Sequence, residues 1–356
     1  MQKKNVYFFC ISETFRNFAE VMENQYIKQF PELFAGKKVM YVHGFASSGQ
    51  SGTVGRLRQV LPEATVIAPD LPLHPSEALD LLHQLCADER PDLIIGTSMG
   101  GMYAEQLYGF DRILTNPAFR IADTMSEHGL TGKQQFFSPR RDGVQEFYVD
   151  KALVKEYRQA SEQNFAQVDA DEQRRVFGLF GDQDPLVHTR DLFLEHYPQA
   201  IVFHGEHRMD DRSFMHAVLP VIRWIDDRQQ RRERPIVYVG LETLCALGSQ
   251  AVGEPRSSSQ KAVRLLIERY QVYFVAPSPS QQTGAYAEAS SWLANYFGVP
   301  AWGHTVFTNQ RHLLYGDYLI EAEDSGETMA TRIAFGGETF KTWEDVIDYF
   351  DRLGGQ

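Results

Sequence analysis

The sequence predicts an α/β protein: a three-layer domain around a parallel sheet, followed by a smaller Rossmann-like α/β domain. Three observations predict it. Short apolar runs alternate with helical patterns between residues 38 and 225. The same alternation restarts at Pro235, beyond a charged stretch at 226–234. One strand–helix junction carries the sharp turn Gly96-Thr97-Ser98-Met99-Gly100. Strands that alternate with helices make βαβ units, whose strands run parallel with helices on both faces.

The elements follow in order. Phe15, Phe18, Val21, Met22 and Ile27 recur at amphipathic helical spacing, which places an N-terminal helical extension over 1–36. The first domain spans 37–230, with strands expected at 39–43, 65–69, 93–97, 112–115, 176–180 and 201–204. Helices are expected at 76–87, 101–108 and 213–225. Residues 119–168 break the rhythm, being polar, aromatic and charged, with Phe136, Phe137, Arg140, Tyr148 and Tyr157 among them. An insertion there overlies the carboxyl ends of the strands, so a substrate-covering lid is expected. The other reading is a helical excursion without substrate contact. The second domain spans 235–356, with strands expected at 236–239, 272–275 and 313–314.

Composition bounds the function. With 356 residues, 43% of them hydrophobic and 23% charged, the chain suits two globular domains. A net charge of −12 argues against nucleic acid and anionic membranes, which need clustered Lys and Arg. Arg140-Arg141 is short, and 228–234 mixes Arg with Gln and Glu as a solvated helix end or linker does. Lys3-Lys4 precede an apolar stretch at 6–11, but Glu13 and Arg16 follow too soon for a secretory leader. No later run approaches membrane-spanning length, so a cytoplasmic protein is expected. Cys10, Cys86 and Cys245 lie far apart without C-x-x-C spacing and read as small buried hydrophobes. No dinucleotide loop, P-loop or metal-ligand cluster is present in the sequence, so neither cofactor nor metal is expected.

The turn at 96–100 is G-x-S-x-G between an apolar strand and a helical pattern, the setting of the α/β-hydrolase nucleophile elbow. Small residues are needed on both sides because the serine backbone is strained and packed against neighbouring chain. The turn lifts the Ser98 hydroxyl to a helix N-terminus, where developing negative charge is favoured. Upstream, His43-Gly44-Phe45 ends the first strand; in this fold such a loop gives one backbone N–H to the oxyanion hole, from Phe45, and Met99 gives the other. His43 itself reads as a structural hydrogen-bonder. Downstream, Gly181-Asp182-Gln183-Asp184 follows a strand; Asp184 is the candidate triad acid and Asp182 its rival. Gly205-Glu206-His207 follows the next strand, making His207 the candidate base, with His204 and His216 as alternatives. Ser, then Asp, then His is the order this fold uses.

Val42-His43-Gly44-Phe45-Ala46-Ser47-Ser48, Ala68-Pro69-Asp70-Leu71-Pro72, Ile95-Gly96-Thr97-Ser98-Met99-Gly100-Gly101 and Asn116-Pro117-Ala118 together resemble the small bacterial YqiA/YcfP-type esterases. The resemblance covers roughly residues 37–225 and implies a compact α/β-hydrolase acting on short-chain esters. It places Ser98, Asp184 and His207 on the family's triad positions.

The remainder resembles, more weakly, the deoxyribonucleotidase branch of the haloacid-dehalogenase-type (HAD-like) phosphatases. Gly240-Leu241-Glu242-Thr243-Leu244 stands where that superfamily places its D-x-D loop, and Val275-Ala276-Pro277-Ser278-Pro279, Phe307-Thr308-Asn309-Gln310-Arg311 and Tyr318-Leu319-Ile320-Glu321 agree with that branch. The resemblance implies an aspartate nucleophile and Mg²⁺ carboxylates, but Gly240 stands at the nucleophile position. Glu242 takes the acid/base position, Arg311 replaces the lysine, and Glu321-Ala322 replaces the paired aspartates. A pseudo-phosphatase domain is therefore expected, kept for interaction, regulation or ligand binding. It is a candidate for homo-oligomer contact, and Ser278 and Arg311 are candidates to hold an anion.

The functional expectation is a serine hydrolase cleaving a small acyl ester or thioester through an acyl-enzyme. The alternative is a non-enzymatic ligand-binding or regulatory protein.

Overall fold

The computed structural model describes residues 32–247, 252–278 and 284–353. Most of the extension expected over 1–36, with Cys10 in it, lies outside the described residues.

Six strands form the first sheet: β1 (Lys38–Val42), β2 (Thr65–Ile67), β3 (Leu93–Thr97), β4 (Arg112–Thr115), β7 (Val176–Gly181) and β8 (Ala200–Phe203). Their order is β2-β1-β3-β4-β7-β8 and every neighbouring pair is parallel. The central strands are apolar almost without interruption because helices cover both faces. Alternation along each strand divides the core in two: Met40, Val42, Ile94 and Leu114 face one side, and Val39, Tyr41, Leu93, Ile95 and Ile113 the other. The helices Pro75–Glu89 and Met99–Glu105 pack on the first side. Gly52–Val60 and Leu219–Gln230 pack on the second. Each fully buried Val, Leu or Ile contributes roughly 1.5–3 kcal/mol. This is the α/β-hydrolase fold expected from the strand–turn–helix junction.

The insertion at 119–168 holds an antiparallel hairpin, β5 (Gly132–Gln135) and β6 (Glu146–Val149), between the helices Ile121–Glu127 and Lys151–Ser161. It is anchored on the turns after β1 and β2. The Phe137 N–H donates to Ala46 O (2.8 Å), Ser48 Oγ–H to Pro139 O (2.7 Å), and the Arg141 N–H to the Asp70 carboxylate (2.7 Å).

The second sheet comprises β9 (Ile236–Gly240), β12 (Gln271–Ala276), β13 (Thr305–Phe307), β14 (Tyr318–Glu321) and β15 (Thr331–Ala334). Its order, β13-β12-β9-β14-β15, is parallel throughout. A short pair, β10 (Cys245–Leu247) and β11 (Val252–Pro255), stands apart. The strand expected at 313–314 is corrected: Arg311–Leu313 is a 3-10 turn with Leu313 exposed, and the strand begins at Tyr318. The intervening Gly316-Asp317 turn belongs to the strand start, since the Asp317 carboxylate accepts the Ile236 N–H at 2.7 Å.

The basic run at 228–234 does end a helix, with Arg231 left-handed (φ 52°) at its cap. Its exposed face is solvated, as expected, and the run is also ion-paired: Arg228 meets Asp111 and Arg234 meets Asp227, both at 2.7 Å. Cys86 and Cys245 are buried, and burial pushes both thiols up to about 11. Among the described residues, no helix is long and apolar enough to cross a membrane.

Candidate active site

The carboxyl ends of β1, β3, β4, β7 and β8 converge on Ser98. Its backbone is strained, with φ 56° and ψ −120°, at the point where β3 passes into the helix Met99–Glu105. That turn closes only with glycine at 100: a Cβ there would stand 2.6 Å from the His43 carbonyl oxygen, and closer still to that of Val42.

The loop after β8 brings His207 over the serine. Its Nε2 lies 3.0 Å from Ser98 Oγ and its Nδ1 2.8 Å from Asp184 Oδ2. Since the carboxylate only accepts, Nδ1–H is the donor and Nε2 is free to accept from the serine hydroxyl. Asp184 is buried, and its other oxygen accepts the N–H groups of Leu186 (2.8 Å) and Val187 (3.1 Å). Burial pushes its carboxyl up. The His207 hydrogen bond and charge, with those two N–H groups, outweigh it and hold the carboxyl below its usual range.

The rivals fall elsewhere. Asp182 accepts the Gly205 N–H (3.1 Å) and pairs with exposed His204 (3.1 Å), a second Asp–His pair beside the first that does not reach Ser98. His216 lies in a π-helical turn, Phe214–Val218. Burial, aided by Arg264 and Arg212, lowers its imidazole to about 4. His43 is buried: Nδ1–H donates to Gly44 O (2.8 Å) and Nε2 accepts the Leu71 N–H (3.0 Å). Burial brings it to about 4, so it stays neutral.

The turn that carries Phe45 runs beside Ser98, since a Cβ on Gly44 would lie 3.3 Å from Ser98 Cβ. Phe45 packs edge-on against Phe147 of the insertion (5.4 Å), which in turn meets Phe136 (4.5 Å). Arg208, next to His207, lies over the exposed ring of Phe137 at 4.4 Å. One residue had no assigned role in the sequence: Asn116, just after β4, bonds to the loop that carries His207. Its place after a strand and its part in the resemblance motif Asn116-Pro117-Ala118 hinted at it without giving it a role.

The second sheet has a polar cluster where its resemblance places a phosphatase site. Arg311 grips both Glu242 oxygens at 2.6 and 2.7 Å and reaches Glu321 at 3.4 Å; Arg332 holds Glu321 at 2.8 Å. Although burial opposes it, these carboxylates raise the Arg311 pKa. Ser278 is likewise engaged, with its hydroxyl 2.8 Å from that of Tyr286. A Cβ on Gly240 would collide with the Glu242 carboxylate. The Mg²⁺ implied by the resemblance does not fit: the nucleophile carboxylate is missing and two arginines already neutralise the remaining ones.

Residues 38–211 match the model of the family described as "Uncharacterised protein family (UPF0227)". A "Putative 5'(3')-deoxyribonucleotidase" of Vibrio phage KVP40 is 23% identical over 164 residues, covering 38% of this chain and 96% of its own. Among solved structures, a "Marine microorganism esterase" is 15% identical, covering 55% of this chain and 95% of its own, with a TM-score of 0.34. Est1E from Butyrivibrio proteoclasticus is 15% identical, covering 55% and 88%, with a TM-score of 0.36. With its six-stranded parallel sheet, the segment spanning residues 38–211 is thus a match to the UPF0227 family on an α/β-hydrolase fold.

Proposed function

We propose that the first sheet carries a serine acyl hydrolase that cleaves a small ester or thioester. One observation supports this above the others: a single imidazole, His207, lies within hydrogen-bond reach of both a strained serine and a buried carboxylate. In this reading His207 Nε2 takes the Ser98 proton as Oγ attacks the acyl carbon. The N–H groups of Phe45 and Met99 hold the oxyanion. Collapse expels the alcohol or thiol, which leaves with the proton from His207, and the acyl group stays on Ser98. Water then attacks the acyl-enzyme, giving its proton to His207, and the acid departs as the proton returns to Ser98. Asp184 fixes the ring's tautomer and stabilises the imidazolium. No step needs a cofactor.

The insertion acts as the lid in this reading. Phe45, Phe136 and Phe147 give the acyl group an apolar wall, and the contact between Arg208 and Phe137 bridges the lid to the loop of the base. The HAD-like second unit carries no phosphoryl transfer, because Gly240 offers no nucleophile.

The test is hydrolysis of p-nitrophenyl esters from acetate to octanoate by wild type and Ser98→Ala, with p-nitrophenyl phosphate plus Mg²⁺ as a third arm. Ester turnover lost in the variant and no metal-dependent phosphatase rate are expected. A folded wild type inert on every ester would favour the non-enzymatic binding reading.

A further inference from the structure

We propose that Asn116 is a positioning residue that sets the His207 ring over Ser98 by holding the backbone of the loop carrying it; the inference rests on the acyl-hydrolase reading. Asn116 is 1% exposed and left-handed, with φ 43°, a conformation Asn tolerates better than most residues. Both ends of its side chain are used. Oδ1 accepts the Gly181 N–H at 2.7 Å, at the end of the strand that leads to Asp184. Nδ2 donates to the carbonyls of Glu206 at 3.0 Å and His207 at 3.2 Å. The donor at Gly181 and the two acceptors opposite settle which way the amide faces.

The neighbours of Asn116 complete the arrangement. Its own N–H donates to Leu179 O (2.8 Å), and the Ala118 N–H donates to the Ser98 carbonyl (3.0 Å). The Pro117 carbonyl accepts the Thr189 hydroxyl at 2.6 Å. One short turn therefore binds the backbone at the nucleophile, at the strand before the acid and at the loop of the base. Asn116 touches neither the Ser98 hydroxyl nor the imidazole, so it acts through the chain.

The need for such a tie is physical. His207 sits on a loop with exposed residues on both sides, Glu206 and Arg208. Its imidazole is fixed by Asp184 at one nitrogen, which leaves the ring free to tilt about that bond unless the backbone is held. A displacement of about 1 Å at a reacting group costs on the order of 100-fold in rate.

Two variants separate positioning from folding. Asn116→Asp keeps the shape, the left-handed tolerance and the acceptor for Gly181, but turns an oxygen toward two carbonyl oxygens. Asn116→Gly keeps the backbone conformation and deletes every side-chain bond. With a p-nitrophenyl ester, both are expected to lose about 10–100-fold in kcat with KM within about twofold. Both are measured at a temperature where far-UV circular dichroism shows each variant folded, since the buried carboxylate of Asn116→Asp, facing two carbonyls, lowers Tm. Labelling of Ser98 by a fluorophosphonate should slow in parallel, and it needs no ester substrate. Wild-type kcat and labelling in a folded Asn116→Asp would overturn the proposal, as would a rise in KM alone. A wild type that neither hydrolyses esters nor labels would instead sink the acyl-hydrolase reading, and this one with it.

Discussion

Gly100 and Val42 stand so close that no side chain fits between them: a Cβ on Gly100 would fall well inside contact distance of the Val42 carbonyl oxygen. The obstacle is strand backbone, which cannot turn aside as a flexible side chain would. Gly100→Ala should therefore lower the unfolding free energy by about 1–3 kcal/mol and displace Ser98. A denaturant midpoint and ester turnover both equal to wild type would show that the junction relaxes.

Two Asp–His pairs lie side by side, and only Asp184–His207 reaches the serine. Asp184→Asn is expected to lower kcat by about 10⁴-fold by mis-setting the imidazole tautomer. Asp182→Asn should change kcat less than threefold, roughly what an exposed pair permits. Steady-state kinetics on one ester decides between them, and the reverse order would transfer the acid role to Asp182.

Stability should fall as pH drops from 6.5 toward 4. His43 and His216 are held near 4 by burial, whereas in the unfolded chain they titrate at 6.5. In that window the unfolded state binds more protons, so stability rises with pH. Glu268 opposes them: burial raises it to about 7, so the folded state binds the extra proton between 4.5 and 7. His216→Gln isolates one contribution and should flatten the acid loss. An unchanged slope in urea melts at pH 4.5, 5.5 and 6.5 would mean His216 is charged when folded.

Removing Glu242 leaves Arg311 mostly buried without its bidentate partner. Glu242→Gln should cost the second unit about 3 kcal/mol and leave ester turnover intact. Guanidinium titration followed by far-UV circular dichroism, with ester assays in parallel, checks both halves.

Arg208→Gln removes an exposed cation–π contact to Phe137 that is worth about 0.5–1 kcal/mol. If that contact steadies the lid, KM for neutral esters should rise severalfold while Tm scarcely moves. Unchanged kinetics across the ester series would detach the insertion from substrate binding.

Much of this architecture is legible in the sequence because its signals are local. Apolar runs such as Leu93-Ile94-Ile95 mark buried parallel strands, and the glycines around Ser98 mark a turn where backbones touch. The misses are of two kinds. Leu313-Leu314 looks like a strand by composition, but its place is decided by Gly316-Asp317 and the bond to Ile236. The hairpin at 132–149 carries Lys and Gln rather than alternating apolar residues, and its anchors are 71 to 91 residues away in sequence. The sequence favours Asp184 and leaves Asp182 as a rival because both follow the same strand; they differ in burial and in which histidine each meets. The bonds of Asn116 span 65 to 91 residues, beyond any local pattern.

Ser98 and His207 are 109 residues apart in sequence and meet only where β8 has joined the sheet. On a ribosome adding about 5–20 residues per second, Ser98 would emerge roughly 5–22 s before His207. Throughout that interval the nascent chain would hold a serine with nothing to deprotonate it. The Ser98–His207–Asp184 constellation would thus come into being late and all at once, when the last strand of the first sheet docks.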